Sequence, residues 1–168
     1  MQQLKAAYAD CCFLKKIKRK TAILIAFACV AGSIVSKASD ENIKSAFSYG
    51  YYLGMSYQII DDYLDFAGGA ENLGKEVGQD LMNGNITLPA LLAREEKPEL
   101  FNSFTNKTSF EEKMEIIDYI KNNEKILSET LDISKRYLLK AQYSIDKIEI
   151  SVKNELTFIM NKLARRDN

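Results

Sequence analysis

The sequence predicts an all-α protein. Apolar residues recur at spacings of three and four through most of the chain, and no alternating apolar–polar run is long enough to require a strand. Breakers are scarce: eight glycines and two prolines in 168 residues are too few for a turn-rich β protein. Five of those glycines, Gly68, Gly69, Gly74, Gly78 and Gly84, crowd into one stretch, which leaves long uninterrupted segments on either side.

The elements follow in order, within one unit spanning 1–168. Residues 1–14 carry a weak helical pattern. From 15 to 36 a basic cluster, KKIKRK, leads into the uncharged run TAILIAFACVAGSIVS. Ile23, Phe27, Val30 and Ile34 recur at helical spacing there, and Ala26, Ala28 and Ala31 permit close packing, so a mostly buried helix is expected. The run resembles a secretory signal or a membrane span only weakly. It is broken by small and polar residues, lies far from Met1 and falls short of the ~20 residues that cross a bilayer. SKASDEN (36–42) reads as a turn with Asp40 as N-cap of a long helix over 41–66. Gly50 and Gly54 share a face of that helix. Each costs about 1 kcal/mol against alanine in a helix, so either another helix packs tightly there or a ligand approaches the backbone. Residues 67–85 read as a long loop, of a length that is usually functional or disordered, and 86–94 as a short helix with Pro89 near its start. After the polar break at 95–100, helices are expected over 111–122, 124–147 and 149–166. Their apolar stripes are Met114, Ile117 and Ile120, then Ile126, Leu131, Tyr137 and Leu138, then Val152, Leu156, Ile159 and Leu163.

Composition removes several function classes. There is no histidine, which excludes Ser-His-Asp and Cys-His catalysis and any His-ligated zinc. Formal net charge is zero, so the chain as a whole carries no nucleic-acid signature. Cys11, Cys12 and Cys29 are odd in number and lack metal-site spacing; they read as reduced thiols of a cytoplasmic protein.

The chemistry concentrates in YQIIDDYLDF (57–66). Gln58, Asp61, Asp62 and Asp65 fall at i, i+3, i+4 and i+7, on one helical face. Crowded carboxylates repel one another, and burying them is costly unless a cation sits beside them. Hard divalent cations take such oxygen ligands, and Mg2+ in particular is held by one or two carboxylates plus phosphate oxygens. An EF-hand is excluded because no loop of alternating ligands follows. A glycosidase carboxylate pair would normally come from separate elements. The bland alternative is a solvated acidic face. Against it stand the apolar flanks Ile59, Ile60, Tyr63, Leu64 and Phe66. The downstream loop also carries Lys75 and Asp80, and a basic cluster upstream ends in Lys20-Thr21. Together these groups suit a metal–diphosphate site, where carboxylates hold the metal and lysines neutralise the phosphate.

GMSYQIIDDYLDF (54–66), GKEVGQDLMNGNITLPAL (74–91) and IKRKTA (17–22) resemble the second aspartate-rich region of the trans-isoprenyl diphosphate synthases, or polyprenyl synthetases. The resemblance covers roughly residues 14–168, whereas 1–13 are atypical. With Asn85 in the -GNITLP- segment, it leans toward the catalytic large subunits of hexaprenyl and heptaprenyl diphosphate synthases, which serve menaquinone synthesis. It implies an isoprenoid synthase-type helical bundle around a central cavity, Mg2+ as cofactor, and condensation of an allylic diphosphate with isopentenyl diphosphate to a membrane-destined lipid. By motif position it implies that Asp61, Asp62 and Asp65 bind metal and that Lys20, Thr21, Gln58 and Lys75 are catalytic and substrate-binding. Asp80, also counted as substrate-binding, would support the lysine-bearing loop or the metal's water shell. A small regulatory subunit or a homodimer is the implied partner.

The family's pattern has two facing aspartate-rich motifs, and this sequence has one D-D pair. The expectation is therefore the C-terminal half of such an enzyme, inactive alone, with apolar surface uncovered along 22–35 and 47–60. A non-catalytic subunit of the same family and an unrelated helical metal-binding module are the competing readings. The Gly74-Lys75 and Thr87-Leu88-Pro89 elements speak against a terpene cyclase.

Overall fold

A computed structural model describes residues 11–67, 77–105, 108–148 and 152–164, and among these there are helices and turns but no strand. The helices are α1 (Cys11–Ile17), a π turn (Lys18–Ala22) running into α2 (Ile23–Val35), α3 (Asp40–Ala67), α4 (Gln79–Met82), α5 (Leu88–Glu96), a 3-10 turn (Pro98–Phe101), α6 (Phe110–Lys121), α7 (Glu124–Asp146) and α8 (Lys153–Ala164). The all-α expectation holds. The N-cap of α3 differs: Ser39 Oγ accepts from the Asn42 N–H at 3.3 Å, while Asp40 lies in the first turn. There its charge still suits the helix dipole. The segment expected as one loop over 67–85 contains α4.

The described residues fall into two compact groups, one of 11–14 with the described part of 61–131, the other of 15–60 with the described part of 132–164; α3 and α7 contribute to both. In the second group α2 lies against α3 at backbone distance. Ala22 and Ala26 are wholly buried. A Cβ added at Gly54 would stand 2.6 Å from Ala22 Cα, and one at Gly50 would stand 2.7 Å from Ala26 Cα. Of the two explanations for these glycines, tight helix packing is the one the structure supports. Ser56 and Ser134 share a buried 2.7 Å hydrogen bond between α3 and α7. Tyr49 donates its hydroxyl to the Leu156 carbonyl of α8 at 2.9 Å.

In the other group, Gly78 has φ 75°, and a Cβ there would meet the Ile117 side chain at 2.6 Å. Glycine is needed at this position on both counts. All six residues Leu88–Ala93 of α5 are buried. Ser109 and Glu112 form a reciprocal capping box at the start of α6. Glu96 at the end of α5 accepts from Lys125 Nζ at 2.6 Å, Asn123 Nδ2 at 2.9 Å and the Tyr119 hydroxyl at 3.0 Å.

The expectation of a mostly buried helix over 15–36 is overturned. Ile23, Leu24, Phe27, Ile34 and Val35 are exposed, Phe27 to 70% and Val35 to 83%. The physical reason is the closeness of α2 to α3, since small residues, Ala22, Ala26 and Cys29, occupy that seam and large residues such as Phe27 stand exposed away from it. A helix apolar on both sides normally has a second covering layer. The uncovered apolar surface anticipated along 22–35 is present, whereas along 47–60 Phe47 and Tyr57 are exposed but Tyr49, Leu53, Met55, Ile59 and Ile60 are buried. No helix among the described residues is long and apolar enough to cross a membrane. The stripe expected on α8 also shifts: Met160 and Leu163 are buried, whereas Val152 and Ile159 are exposed.

Candidate functional site

Two clusters carry the sequence-predicted residues, and α3 runs through both. The first is built on the π turn. The N–H of Ile23 bonds to the Lys18 carbonyl, five residues back, so the turn is one residue wider than in an α-helix. Thr21 lies in this turn and donates its hydroxyl to Gln58 Oε1 at 2.7 Å. Gln58 is 3% exposed, so this bond helps to satisfy a buried amide. Lys20, beside Thr21, is exposed.

The second cluster begins one turn after Gln58. Asp62 is 2% exposed, Asp65 half-buried and Asp61 exposed. The acidic face expected to be buried is thus graded, because adjacent helical positions such as Asp61 and Asp62 point about 100° apart. Asp65 is tied to the following loop at three points. Its carbonyl accepts from the Gly78 N–H at 2.8 Å. Its carboxylate oxygens accept from the N–H groups of Gln79 and Asp80, each at 3.2 Å. Asp65 in effect caps the N-terminus of α4 from another helix. Burial pushes its carboxyl above the usual range, and the carboxylates of Asp80 and Asp61 act in the same direction, while the N–H groups of Asp80 and Gln79 oppose it. Asp80 in turn accepts from Asn85, whose N–H reaches the Asp80 carbonyl at 2.8 Å and whose amide reaches the carboxylate at 3.4 Å.

Three acidic side chains that repel one another, two of them drawn out of solvent, form an arrangement that a cation would relieve. Among the described residues, however, no group of three or more carboxylates or thiols converges closely enough to cage a metal. Lys75 lies outside the described residues. So do the side chains of Cys11 and Cys12, whereas Cys29 is a free thiol whose pKa burial raises. Two features escaped the sequence reading. The π turn left a trace in the spacing of the buried positions Ile17, Ala22 and Ala26. The anchoring of Asp65 by Gly78–Asp80 is a tertiary contact with no local pattern.

These clusters sit within a matched family region. The Polyprenyl synthetase family profile matches residues 2–122, and the chain belongs to that family. It is 47% identical over 132 residues to heptaprenyl diphosphate synthase component 2 of Bacillus subtilis, covering 77% of this chain and 37% of that protein. The crystal structure of heptaprenyl diphosphate synthase from Staphylococcus aureus superposes with a TM-score of 0.86 at 35% identity, covering 93% of this chain and 50% of that one. Polyprenyl synthase from Caulobacter crescentus, complexed with calcium and isoprenyl diphosphate, matches with a TM-score of 0.80 at 26% identity, covering 95% of this chain and 51% of that one. The chain therefore spans about half the length, or less, of these relatives.

Proposed function

We propose that this chain supplies one wall of the active site of a chain-elongating prenyltransferase. That enzyme condenses an allylic diphosphate with isopentenyl diphosphate, giving a hexaprenyl or heptaprenyl diphosphate for menaquinone. The carrying observation is the run of groups along α3, a buried Gln58 held by Thr21 and then Asp61, Asp62 and Asp65, with Asp65 anchored to the loop after α3.

The donor set fits a hard divalent cation. All three ligands are carboxylate oxygens, and Mg2+ that keeps waters and shares phosphate oxygens needs no complete protein cage. A relative bound to calcium and isoprenyl diphosphate supports the same chemistry. When bound, Mg2+ would act as a Lewis acid that favours departure of the diphosphate. Lys20 and Lys75 would neutralise the allylic diphosphate, and Thr21 would hold Gln58 beside the allylic carbon. Asp80 would brace the lysine-bearing loop, and the apolar flanks Ile59 and Ile60 would keep water from the cation formed on ionisation.

The chain, as the C-terminal portion of such an enzyme in the cytoplasm, would not elongate alone. The other acidic motif would come from sequence corresponding to the unmatched part of its relatives, seated on the exposed face of α2. The "component 2" in the name of the Bacillus subtilis relative supports a further partner subunit.

The test is calorimetry of farnesyl diphosphate with and without Mg2+. It is run on this chain alone and mixed with the separately expressed first half of the Bacillus subtilis relative. Mg-dependent binding is expected in the mixture, and condensation once isopentenyl diphosphate is added, with both lost in Asp61→Asn/Asp62→Asn. Leu24→Asp/Phe27→Asp should prevent the mixture from associating. A folded, associated mixture that binds equally well without Mg2+, or in the aspartate variant, refutes the reading.

A further inference from the structure

Buried positions along the first helical segment fall at Phe13, Ile17, Ala22 and Ala26, at spacings of four, then five, then four. In a regular α-helix five residues turn about 140° past a full circle, which would carry Ala22 far from the face that Ile17 occupies. The π turn removes that error. With the Ile23 N–H bonded to the Lys18 carbonyl, each residue advances by about 80° rather than 100°, and five residues come close to one turn. Ala22 and Ala26 are thereby brought onto Gly54 and Gly50.

The same widening sets the direction of Thr21. Relative to Ala22, which is locked in the seam, it is rotated about 20° from its α-helical place. At a side-chain radius of about 5 Å that moves a hydroxyl by roughly 1.5 Å. The Thr21–Gln58 bond is 2.7 Å long, so a shift of that size away from Gln58 would break it. We propose that the one-residue widening at Lys18–Ala22 is a positioning device. It lets a single helix seat Ala22 on Gly54 while aiming the Thr21 hydroxyl at Gln58. Its importance for catalysis rests on the site reading above, but the geometry does not.

The test is deletion of one residue, Arg19, which turns the 17-22-26 spacing into a regular four and four. The readout is the side-chain amide resonance of Gln58 in two-dimensional NMR, with Thr21→Val giving the position of a Gln58 that has lost the bond. The deletion variant should fold with a melting midpoint no lower than that of Thr21→Val, its Gln58 resonance moving to the Thr21→Val position. Arg19→Ala, which keeps the length, should leave that resonance where it is. A Gln58 resonance unmoved by the deletion overturns the positioning role. A deletion that unfolds the chain overturns the register argument, which requires the seam to survive. Because neither readout needs a ligand, failure of diphosphate binding in the parent chain would count against the functional reading alone.

Discussion

Substituting Gly54 by alanine tests the α2–α3 seam directly. The new Cβ would stand 2.6 Å from Ala22 Cα and 3.2 Å from Ala22 Cβ. Carbon atoms in contact sit at about 3.5–4.0 Å, so the helices must part locally by about 1 Å. Because the opposing atom is backbone, no side-chain rotation relieves the clash. Overpacking of this kind costs about 1–3 kcal/mol, while alanine returns about 1 kcal/mol of helix propensity. The net expectation is destabilisation of about 0–2 kcal/mol. Gly32 is the control: nothing lies within 4 Å of a Cβ there, so Gly32→Ala should gain about 0.5–1 kcal/mol. Gly50→Ala meets Ala26 Cα at 2.7 Å and the Cys29 thiol at 2.9 Å; it should cost as much as Gly54→Ala. Urea unfolding midpoints, compared at equal slope, measure the differences. The reasoning fails if Gly54→Ala is as stable as Gly32→Ala, because the seam would then have a tolerance the coordinates deny.

Two further outcomes follow from polar contacts. Ser134→Ala alone strands the buried Ser56 hydroxyl, at a cost of about 1–3 kcal/mol, whereas Ser56→Ala leaves Ser134 a second acceptor, the Ser56 carbonyl at 3.4 Å, and should cost less. The double variant should lose less than the sum, which a double-mutant cycle in urea would read. Glu96 has its carboxyl lowered to about 2 by hydrogen bonds from Lys125, Asn123 and Tyr119, against an ordinary value of 4.5. Its contribution is therefore complete above pH 4.5 and is lost as pH falls from 4.5 toward 2. The effect is modest because the pair is exposed and screened. Glu96→Gln should flatten that part of the stability–pH curve, and an unchanged slope would refute the assignment.

Helix content, the long α3 and its D-D-x-x-D run were legible in the sequence because each is a local pattern: periodicity, scarcity of breakers, and carboxylates at i, i+1 and i+4. The family was legible for the same reason, since its motifs are short and ordered along the chain. The status of α2 was not. An uncharged helix of alanines and large apolar residues reads as buried from any side, and only its partner decides which side. With Gly50 and Gly54 opposite, the alanines take the contact and Phe27 faces out. The depth of each aspartate was likewise beyond a one-dimensional reading, because Asp62 and Asp61 are neighbours in sequence yet one is buried and the other exposed. Sequence alone thus determined which chemical groups are present and on which helix, since helical geometry is set by adjacent residues. Tertiary structure alone decided which of them are buried, anchored or aimed, as Thr21 is at Gln58 and Asp65 is at Gln79 and Asp80, because those bonds join residues 37, 14 and 15 positions apart.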